Sequence, residues 1–312
     1  DVERSRGLGD VYKRQVYSYS MEDMGVMEIS KVLVKRPCLS WNDPLVKGLL
    51  ILAEKRSPYR IAVVDKGMRI RGILTGRRIL EVLLGIRGTS LREKKGLDIL
   101  NESVNLFIDE ARHLFESHIP LRAVIQYMVE NSIGQVFVVD QRGVLKGVID
   151  EVSILDRIEN YRFESKIKDI MVRDVKLTSL NSTLSDAARI MVDNWIRRLP
   201  VVEGGVIKGL VTITDVLGYI RNKVFSEGRT DLEGVMNTRV NEIMKKEPIT
   251  ASSHERLDEA IEKIKRYDIS TLPVVERRVL VGMVTRIDIL KGIVREKGAE
   301  EVSKLIGRYS GE

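Results

Sequence analysis

An internal copy at a fixed distance is the feature that most constrains what this chain can fold into. Residues 272–290, LPVVERRVLVGMVTRIDIL, align without a gap with residues 199–217, LPVVEGGVIKGLVTITDVL, which lie 73 residues upstream. A fixed internal period is the sequence signature of a protein built from one repeated supersecondary unit. The chain is therefore predicted to be a repeat protein rather than a single continuous domain.

A glycine in the second strand of each unit extends this period along the chain. These residues are Gly72, Gly147, Gly209 and Gly282, at intervals of 75, 62 and 73 residues. Around them, apolar residues alternate as in strands or recur at helical spacing, in the order strand, helix, strand, strand, helix. The sequence thus predicts four βαββα repeats, at residues 27–90, 96–160, 166–224 and 239–297.

The two ends of the chain fall outside these repeats. Residues 1–20 match no part of any repeat and are interpreted as a tail that is not native to the protein. Residues 298–312 are predicted to form a closing helix and a short tail.

Each unit is too small to bury a core by itself, so neighbouring units are expected to pair. Repeats one and two form one predicted pair, and repeats three and four form the other. The predicted fold class is mixed, α+β or α/β, with four βαββα repeats arranged as two pseudo-twofold pairs. Two assemblies stay open at this point: the pairs stack face to face as one disc, or they dimerise with another chain.

Composition narrows the class of protein. The chain has 312 residues, of which 43% are hydrophobic and 31% charged, as in a globular protein. It has no run of about 18 apolar residues and no export signal, which predicts a cytoplasmic location and no membrane. Abundant charge and a single cysteine fit a thermophile. Cys38 and the three histidines lack metal-ligand spacing and are interpreted as structural.

The net charge of +7 suits an anionic partner, either a phosphate-bearing small molecule or nucleic acid. Basic and acidic residues alternate along most of the predicted helices, which is typical of a solvated, salt-bridged surface. Aromatic residues, on which bases could stack, make up only 5% of the chain. A small phosphate-bearing molecule is therefore the favoured partner.

The repeated motifs resemble those of one known family. They are D-I-M or E-I-M, a strand ending in Thr, L-P-V-V, and Gly-hydrophobic-hydrophobic-Thr-x-x-Asp, followed by a closing helix. This pattern resembles the CBS domain, named from cystathionine beta-synthase, over roughly residues 27–297, and is most specific in repeats three and four. The chain is similar to stand-alone archaeal and bacterial CBS proteins and to the gamma subunit of AMP-activated kinase, which also has four repeats.

The resemblance implies a regulatory or sensor role. Paired CBS repeats commonly hold AMP, ADP, ATP or S-adenosylmethionine in their clefts, so an adenosine compound is the expected ligand and no other cofactor is required. Strand-ending Thr178 and Thr250 are then expected to flank the adenine. The Leu-Pro steps at Leu199, Pro200, Leu272 and Pro273 are counted with the site, although the Pro-Val-Val runs are also core strand.

The Thr-x-x-Asp step has a chemical rationale of its own. One carboxylate can accept hydrogen bonds from both ribose hydroxyls, which is the role expected of Asp215 and Asp288. Thr212 and Thr285 stand at helix N-termini, where backbone N–H groups suit a phosphate. The alternative is that these residues only cap the helices that follow.

Basic residues near the L-P-V-V step suggest a phosphate site. Arg197 and Arg198 can fork onto a phosphate, or they can lie on a solvated face. Ser270 and Thr271 take their places in repeat four, where Arg286 is expected to supply the missing cation. The two clefts are therefore predicted to differ in charge preference.

The first pair departs from the Thr-x-x-Asp pattern. Repeat one has Thr75-Gly76-Arg77-Arg78, and repeat two has Asp150-Glu151-Val152-Ser153. An arginine cannot accept a hydrogen bond from ribose. Ligand binding is therefore predicted to be confined mainly to the second pair, with the first pair structural or in contact with an unknown regulated protein.

No catalytic set is recognisable in the sequence: there is no nucleophile beside a base, no metal-ligand spacing and no glycine-rich phosphate loop. A non-enzymatic protein is predicted. Two alternatives stay open. An interaction scaffold with vestigial sites would show no stability shift with AMP, ATP or S-adenosylmethionine. A nucleic-acid-binding protein would bind with a steep dependence on salt.

Overall fold

The computed structural model describes residues 29–55, 58–158, 161–228 and 231–308. The predicted non-native tail and the start of repeat one near Met27 lie outside these residues. Within them, no helix combines the length and the apolar composition needed to cross a membrane.

Repeats one and two contain the predicted order of elements. Repeat one consists of β1 (Cys38–Ser40), α1 (Leu45–Leu52), β2 (Arg60–Val64), β3 (Ile70–Thr75) and α2 (Gly76–Leu83). A connection with α3 (Thr89–Lys95) leads to repeat two. Repeat two consists of β4 (Leu114–Glu116), α4 (Leu121–Glu130), β5 (Gln135–Val139), β6 (Leu145–Asp150) and α5 (Glu151–Leu155).

Repeats three and four follow the same order, with the first strand reduced to one bridge in each. Repeat three consists of α6 (Leu184–Asp193), β7 (Arg198–Glu203), β8 (Val206–Thr212) and α7 (Ile213–Arg221). The next elements are α8 (Leu232–Met236), α9 (Val240–Ile243) and β9 (Lys245–Lys246). Repeat four continues with α10 (Leu257–Arg266), β10 (Thr271–Glu276), β11 (Val279–Thr285) and α11 (Arg286–Lys297), and α12 (Ala299–Arg308) closes the chain.

The strands form one small sheet in each of the first two repeats and one joint sheet in the last two. In the first pair the orders are β1-β2-β3 and β4-β5-β6, each with a parallel and then an antiparallel pairing. In the second pair the order is β10-β11-β8-β7, and β9 also pairs with β8. Antiparallel pairing of Val279 with Val206 joins repeats three and four.

The predicted pairing of repeats is confirmed by backbone contacts between pair mates. Repeats one and two meet at a bridge between Arg69 and Val144, and Leu145 N donates to Met68 O at 2.9 Å. Repeats three and four share the sheet described above. Each pair is therefore held together through its strands.

The segment that leads into each repeat crosses to the sheet of its pair mate, which explains the four glycines. A side chain at any of these positions would meet a backbone carbonyl oxygen of the crossing segment at 2.8–2.9 Å. These glycine and carbonyl pairs are Gly72 with Asp109, Gly147 with Val34, Gly209 with Lys245, and Gly282 with Val172. Glycine thus recurs at this position because two backbones approach each other too closely there for a side chain.

The two pairs pack against each other through their helices. One core cluster joins buried residues of repeats one and three, for example Leu49 with Leu217, and a second joins repeats two and four, for example Ile154 with Ile293. Helices α1 and α2 pack on α7, while α4 and α5 pack on α11. The pairs thus stack face to face within this chain, which is the first of the two arrangements left open by the sequence. We call this stack the disc.

Candidate ligand-binding site

A cavity of about 1650 Å³ lies where the four repeats converge. All four repeats contribute residues to its wall. Seven of the predicted site residues line it: Arg197, Arg198, Thr212, Asp215, Ser270, Thr271 and Arg286. The other eight lie outside its wall: Thr178, Leu199, Pro200, Thr250, Leu272, Pro273, Thr285 and Asp288.

The part of the cavity that holds Asp215 is built across the second pair. Thr212 and Asp215 come from repeat three, whereas residues 245–249 come from the segment that leads into repeat four and pairs with β8. The apolar wall is also supplied by repeat four, through Ile261 and Ile264 of α10. We call this region the Asp215 cleft. It brings a carboxylate, backbone groups and an apolar surface to one place.

Both predicted ribose carboxylates take part in helix caps. Asp215 Oδ2 accepts hydrogen bonds from Thr212 N at 2.9 Å and Thr212 Oγ1 at 2.7 Å. Asp288 Oδ2 accepts from Thr285 N at 2.9 Å and Thr285 Oγ1 at 2.6 Å. In neither case does the other oxygen, Oδ1, accept a hydrogen bond from the part of the chain that the structure describes. The capping alternative therefore accounts for one oxygen of each carboxylate and leaves the second available.

Four arginines from three repeats gather at the convergence of the repeats, and we call them the central arginine cluster: Arg60, Arg197, Arg198 and Arg286. Arg198 Nη2 donates to Ser270 Oγ at 2.5 Å, and the guanidinium of Arg197 lies 3.6 Å over the ring of Tyr59. Burial, followed by the charge of Arg197, lowers the pKa of Arg198 to about 10. Arg60 is lowered to a pKa of about 10 for the same two reasons. Arg60 and Arg198 thus stay positively charged at neutral pH, because a pKa of about 10 lies well above it.

In the first pair, the positions equivalent to the ribose carboxylates are engaged inside the protein. Arg78 is 8% exposed and forms ion pairs with Glu81 and Asp109. In repeat two the acid stands at the helix cap instead, where Asp150 Oδ2 accepts from Arg36 Nη2 at 2.7 Å and Oδ1 accepts from Ser153 N at 2.8 Å. Neither position presents a free carboxylate oxygen in the way that Asp215 does.

The expected pairing of Thr178 with Thr250 is corrected by one residue. Thr178 forms a bridge with Val201 and Ala251 forms the matching bridge with Val274, so that Ala251 is the structural equivalent of Thr178. The spacing of 73 residues is kept through this segment, so Thr250 matches Leu177, and its carbonyl oxygen accepts from Lys263 Nζ at 3.1 Å. Thr178 is 6% exposed, and its hydroxyl has no hydrogen-bond partner among the described residues.

The four Leu-Pro residues are strand residues behind the cavity. Leu199 and Leu272 are fully buried in the two large cores. Pro200 O accepts from Thr178 N, and Pro273 O accepts from Ala251 N, both at 3.0 Å. Their contribution is to position the strands that carry the arginines and hydroxyls of the wall.

Several residues of the site were missed by the motifs. Tyr59 and Arg60 stand at the strand start that Arg197 and Arg198 occupy in repeat three, and the strand registers make them equivalent. Residues 245–249 carry none of the motifs described above, and Glu151 lies inside the altered Thr-x-x-Asp step of repeat two. Transferring the Arg197-Arg198 step to repeat one would have identified the first two.

In the described residues, no group of three or more His, Cys, Asp or Glu side chains is placed to hold a metal ion. The wall of the cavity offers hydrogen-bonding groups, arginine side chains and apolar surface.

Comparison with known proteins agrees with the repeats and the disc. A family model for the CBS domain matches residues 110–160, 167–222 and 240–295. The uncharacterized protein MJ1225 of Methanocaldococcus jannaschii is 29% identical over 257 residues, covering 78% of this chain and 90% of the relative. An uncharacterized 33.4 kDa protein of Thermofilum pendens is 28% identical over 265 residues, covering 82% and 87%.

The solved structure of one of these relatives gives the same result. The crystal structure of MJ1225, described as a proposed archaeal homologue of the gamma subunit of AMPK, has a TM-score of 0.77 at 27% identity, covering 86% of this chain and all of the other. The CBS pair of protein MJ0100, in complex with 5′-methylthioadenosine and S-adenosyl-L-methionine, is 29% identical and covers 43% of this chain and 98% of the pair, with a TM-score of 0.36. This chain belongs to the CBS-domain family, with its repeats arranged as two pairs.

Proposed function

We propose that this chain is a non-enzymatic regulatory protein of the cytoplasm that binds an adenosine compound, AMP, ADP, ATP or S-adenosylmethionine, chiefly in the Asp215 cleft. The proposal rests on the composition of the cavity wall. The wall contains both the central arginine cluster and the carboxylate of Asp215, of which only Oδ2 is hydrogen-bonded within the described residues. A nucleotide presents a matching set of groups: two ribose hydroxyls as donors and a phosphate as an anion.

Each part of an adenine nucleotide has a partner in this cleft. Asp215 Oδ1 is positioned to accept from the ribose hydroxyls, because Thr212 donates only to Oδ2. Ile249, Ile264 and Ile269 supply apolar contact for the base. The arginines supply charge-assisted hydrogen bonds to phosphate, which are stronger than those between neutral groups.

The two clefts of the second pair differ. Arg286 and Ile287 of repeat four reach the cavity wall, but Asp288 lies one residue beyond it. We infer one principal nucleotide site per chain rather than two equal ones. The first pair, whose equivalent side chains are engaged in internal ion pairs, has a structural role or contacts the regulated protein.

Isothermal titration calorimetry with AMP, ADP, ATP, S-adenosylmethionine and 5′-methylthioadenosine tests this proposal. At least one of them is expected to bind at one principal site, and at a concentration of 100 times its Kd to raise the free energy of unfolding by about 2.7 kcal/mol. Deoxy-AMP, which lacks a ribose hydroxyl, is the matched ligand control and is expected to bind more weakly than AMP. No heat and no stability shift with any of these compounds would refute the proposal.

A further inference from the structure

A buried carboxylate stands behind the wall of the cavity, at the central arginine cluster. Glu151 is the first residue of α5 and is only 2% exposed. It lies against Gly134, where a side chain would overlap its Oε2 atom, so this glycine makes room for the carboxylate. Tyr59 faces the carboxyl group, and among the described residues neither Tyr59 Oη nor Glu151 Oε2 has a hydrogen-bond partner of ordinary geometry. A buried acid without a complete set of donors needs an explanation.

The groups around this acid are the ones assigned to phosphate. Burial raises the pKa of Glu151, and the positive charges of Arg197, Arg198 and Arg286 oppose that rise. Arg60 also lies close enough for the charge of Glu151 to affect its pKa. All four of these arginines line the cavity. In its ionised form, Glu151 is therefore an internal anion that acts on the same cations as any anion that enters the cavity.

We propose that Glu151 determines how many phosphate charges the cavity accepts, by competing as an internal anion for the central arginine cluster. Applied to nucleotides, this inference rests on the proposed function and gives the site a preference for fewer phosphates. Repeat two, which has lost the family's ribose step, thereby sets the specificity of the cleft in the second pair.

The direction of the effect follows from Coulomb's law. A negative charge at Glu151 repels each added phosphate charge, and if the carboxyl takes up a proton when the ligand binds, that uptake also costs more for the more highly charged ligand. Removing the charge should therefore strengthen binding in proportion to ligand charge. Adenosine, which carries none, should be unaffected.

The test is Glu151→Gln, which keeps the shape of the side chain and removes its charge. Calorimetric titrations of wild type and variant with adenosine, AMP and ATP are expected to show no change for adenosine and a gain for AMP of at least tenfold. ATP is expected to gain at least a further tenfold, because each unit of charge at a separation of about 9 Å and an effective dielectric constant near 20 changes the affinity roughly twentyfold. An unchanged ratio of ATP to AMP affinity would overturn the inference.

A second series separates this inference from the proposed function. Orthophosphate, pyrophosphate and tripolyphosphate probe the arginine cluster without adenosine, and Glu151→Gln should strengthen their binding in that order. If the wild type binds this series but no adenosine compound, the proposed function fails while the role of Glu151 is still decided. If it binds neither series, both fail.

Two further variants serve as controls. Glu110→Gln removes the same charge at the rim, where Glu110 and its partner Arg112 are both exposed, and should leave the affinity ratios unchanged because water screens this charge. Glu151→Ala removes the carboxylate altogether and should change the ratios in the same direction as Glu151→Gln. Thermal unfolding confirms which variants are folded, and opposite shifts from the two Glu151 variants would overturn the inference.

Discussion

The two pairs use the same helix start in different ways. In the second pair, Asp215 caps its own helix with one oxygen and keeps the other free of hydrogen bonds from the described residues. In the first pair, Arg78 replaces the acid and is bound to Glu81 and Asp109. The same position in the repeat can thus face a ligand or stabilise the protein. It faces a ligand where its charge has no partner inside the protein, and it stabilises the fold where internal side chains of opposite charge pair with it.

Repeat two shows how the fold tolerates this change. Acid and hydroxyl exchange places there, so that Asp150 is the cap and Ser153 occupies the third helical position. The reciprocal hydrogen bonds of the capping box are retained, with Ser153 N donating to Asp150 Oδ1 at 2.8 Å and Asp150 N donating to Ser153 Oγ at 3.2 Å. The helix start is preserved while the carboxylate moves away from the ribose position.

The largest expected effect is a loss of stability when the internal ion pairs of the first pair of repeats are broken. Arg78→Met leaves Asp109 without this cation and Glu81 with only Arg77, and breaking a buried pair by removing one partner costs about 3–5 kcal/mol of stability. Urea unfolding of the full chain measures this cost. Arg71→Met removes an exposed pair with Asp65 and should cost far less. Equal losses from the two variants would mean that the Arg78 pairs stabilise no more than a surface pair does.

A smaller effect separates the two acids of the second pair. Asp215→Ala and Asp288→Ala both remove a capping box, so each should lower stability by about 1 kcal/mol. Only Asp215 lines the cavity, so Asp215→Ala should weaken AMP binding by about 1.5–3 kcal/mol, roughly ten- to a hundredfold in Kd, and Asp288→Ala by much less. Calorimetry gives both affinities, and equal losses would contradict the single principal site.

The smallest expected effect concerns the connection between the two pairs. Glu296 of α11 accepts hydrogen bonds from Ser165 N at 3.0 Å and Glu164 N at 3.3 Å in this connection. Burial alone would raise the pKa of Glu296, but these bonds and one from Lys297 lower it to about 2.

The sign of the pH effect follows from that lowered pKa. Glu296 stabilises the folded state fully above its ordinary value of about 4.5, and this contribution is lost as the pH falls from there towards 2. Glu296→Gln should therefore flatten the dependence of the unfolding free energy on pH in this window. The measurement is urea unfolding at a series of pH values, and parallel curves for wild type and variant would show that these bonds do not stabilise the connection.

The pairs could be predicted from the sequence because their markers lie in strands. The glycine period and the L-P-V-V step mark the strand surfaces on which a backbone crosses from the pair mate, and this contact has the same geometry in all four repeats. The face-to-face stacking of the two pairs could not be predicted in the same way. It depends on the apolar faces of helices, and an apolar face does not indicate which other helix it packs against. For that reason the sequence left the disc and the dimer open.

The site was harder to predict because its parts come from different repeats. The sequence placed Thr178 and Asp215 together in one repeat, but the segment that faces Asp215 belongs to repeat four and crosses through its pairing with β8. The correction from Thr250 to Ala251 arises because the 73-residue spacing is unbroken there, whereas the prediction matched the two threonines by residue type. Glu151 could not be identified from the sequence because its burial against Gly134 depends on a contact between a helix start and the loop before β5.

A crystal structure of the full chain with AMP tests the central claim most directly. The account predicts AMP in the Asp215 cleft, with its ribose hydroxyls within hydrogen-bond distance of Asp215 Oδ1 and its phosphate on the central arginine cluster. AMP bound instead beside Arg78 or Ser153, or with equal occupancy in both pairs, would contradict the asymmetry between the pairs.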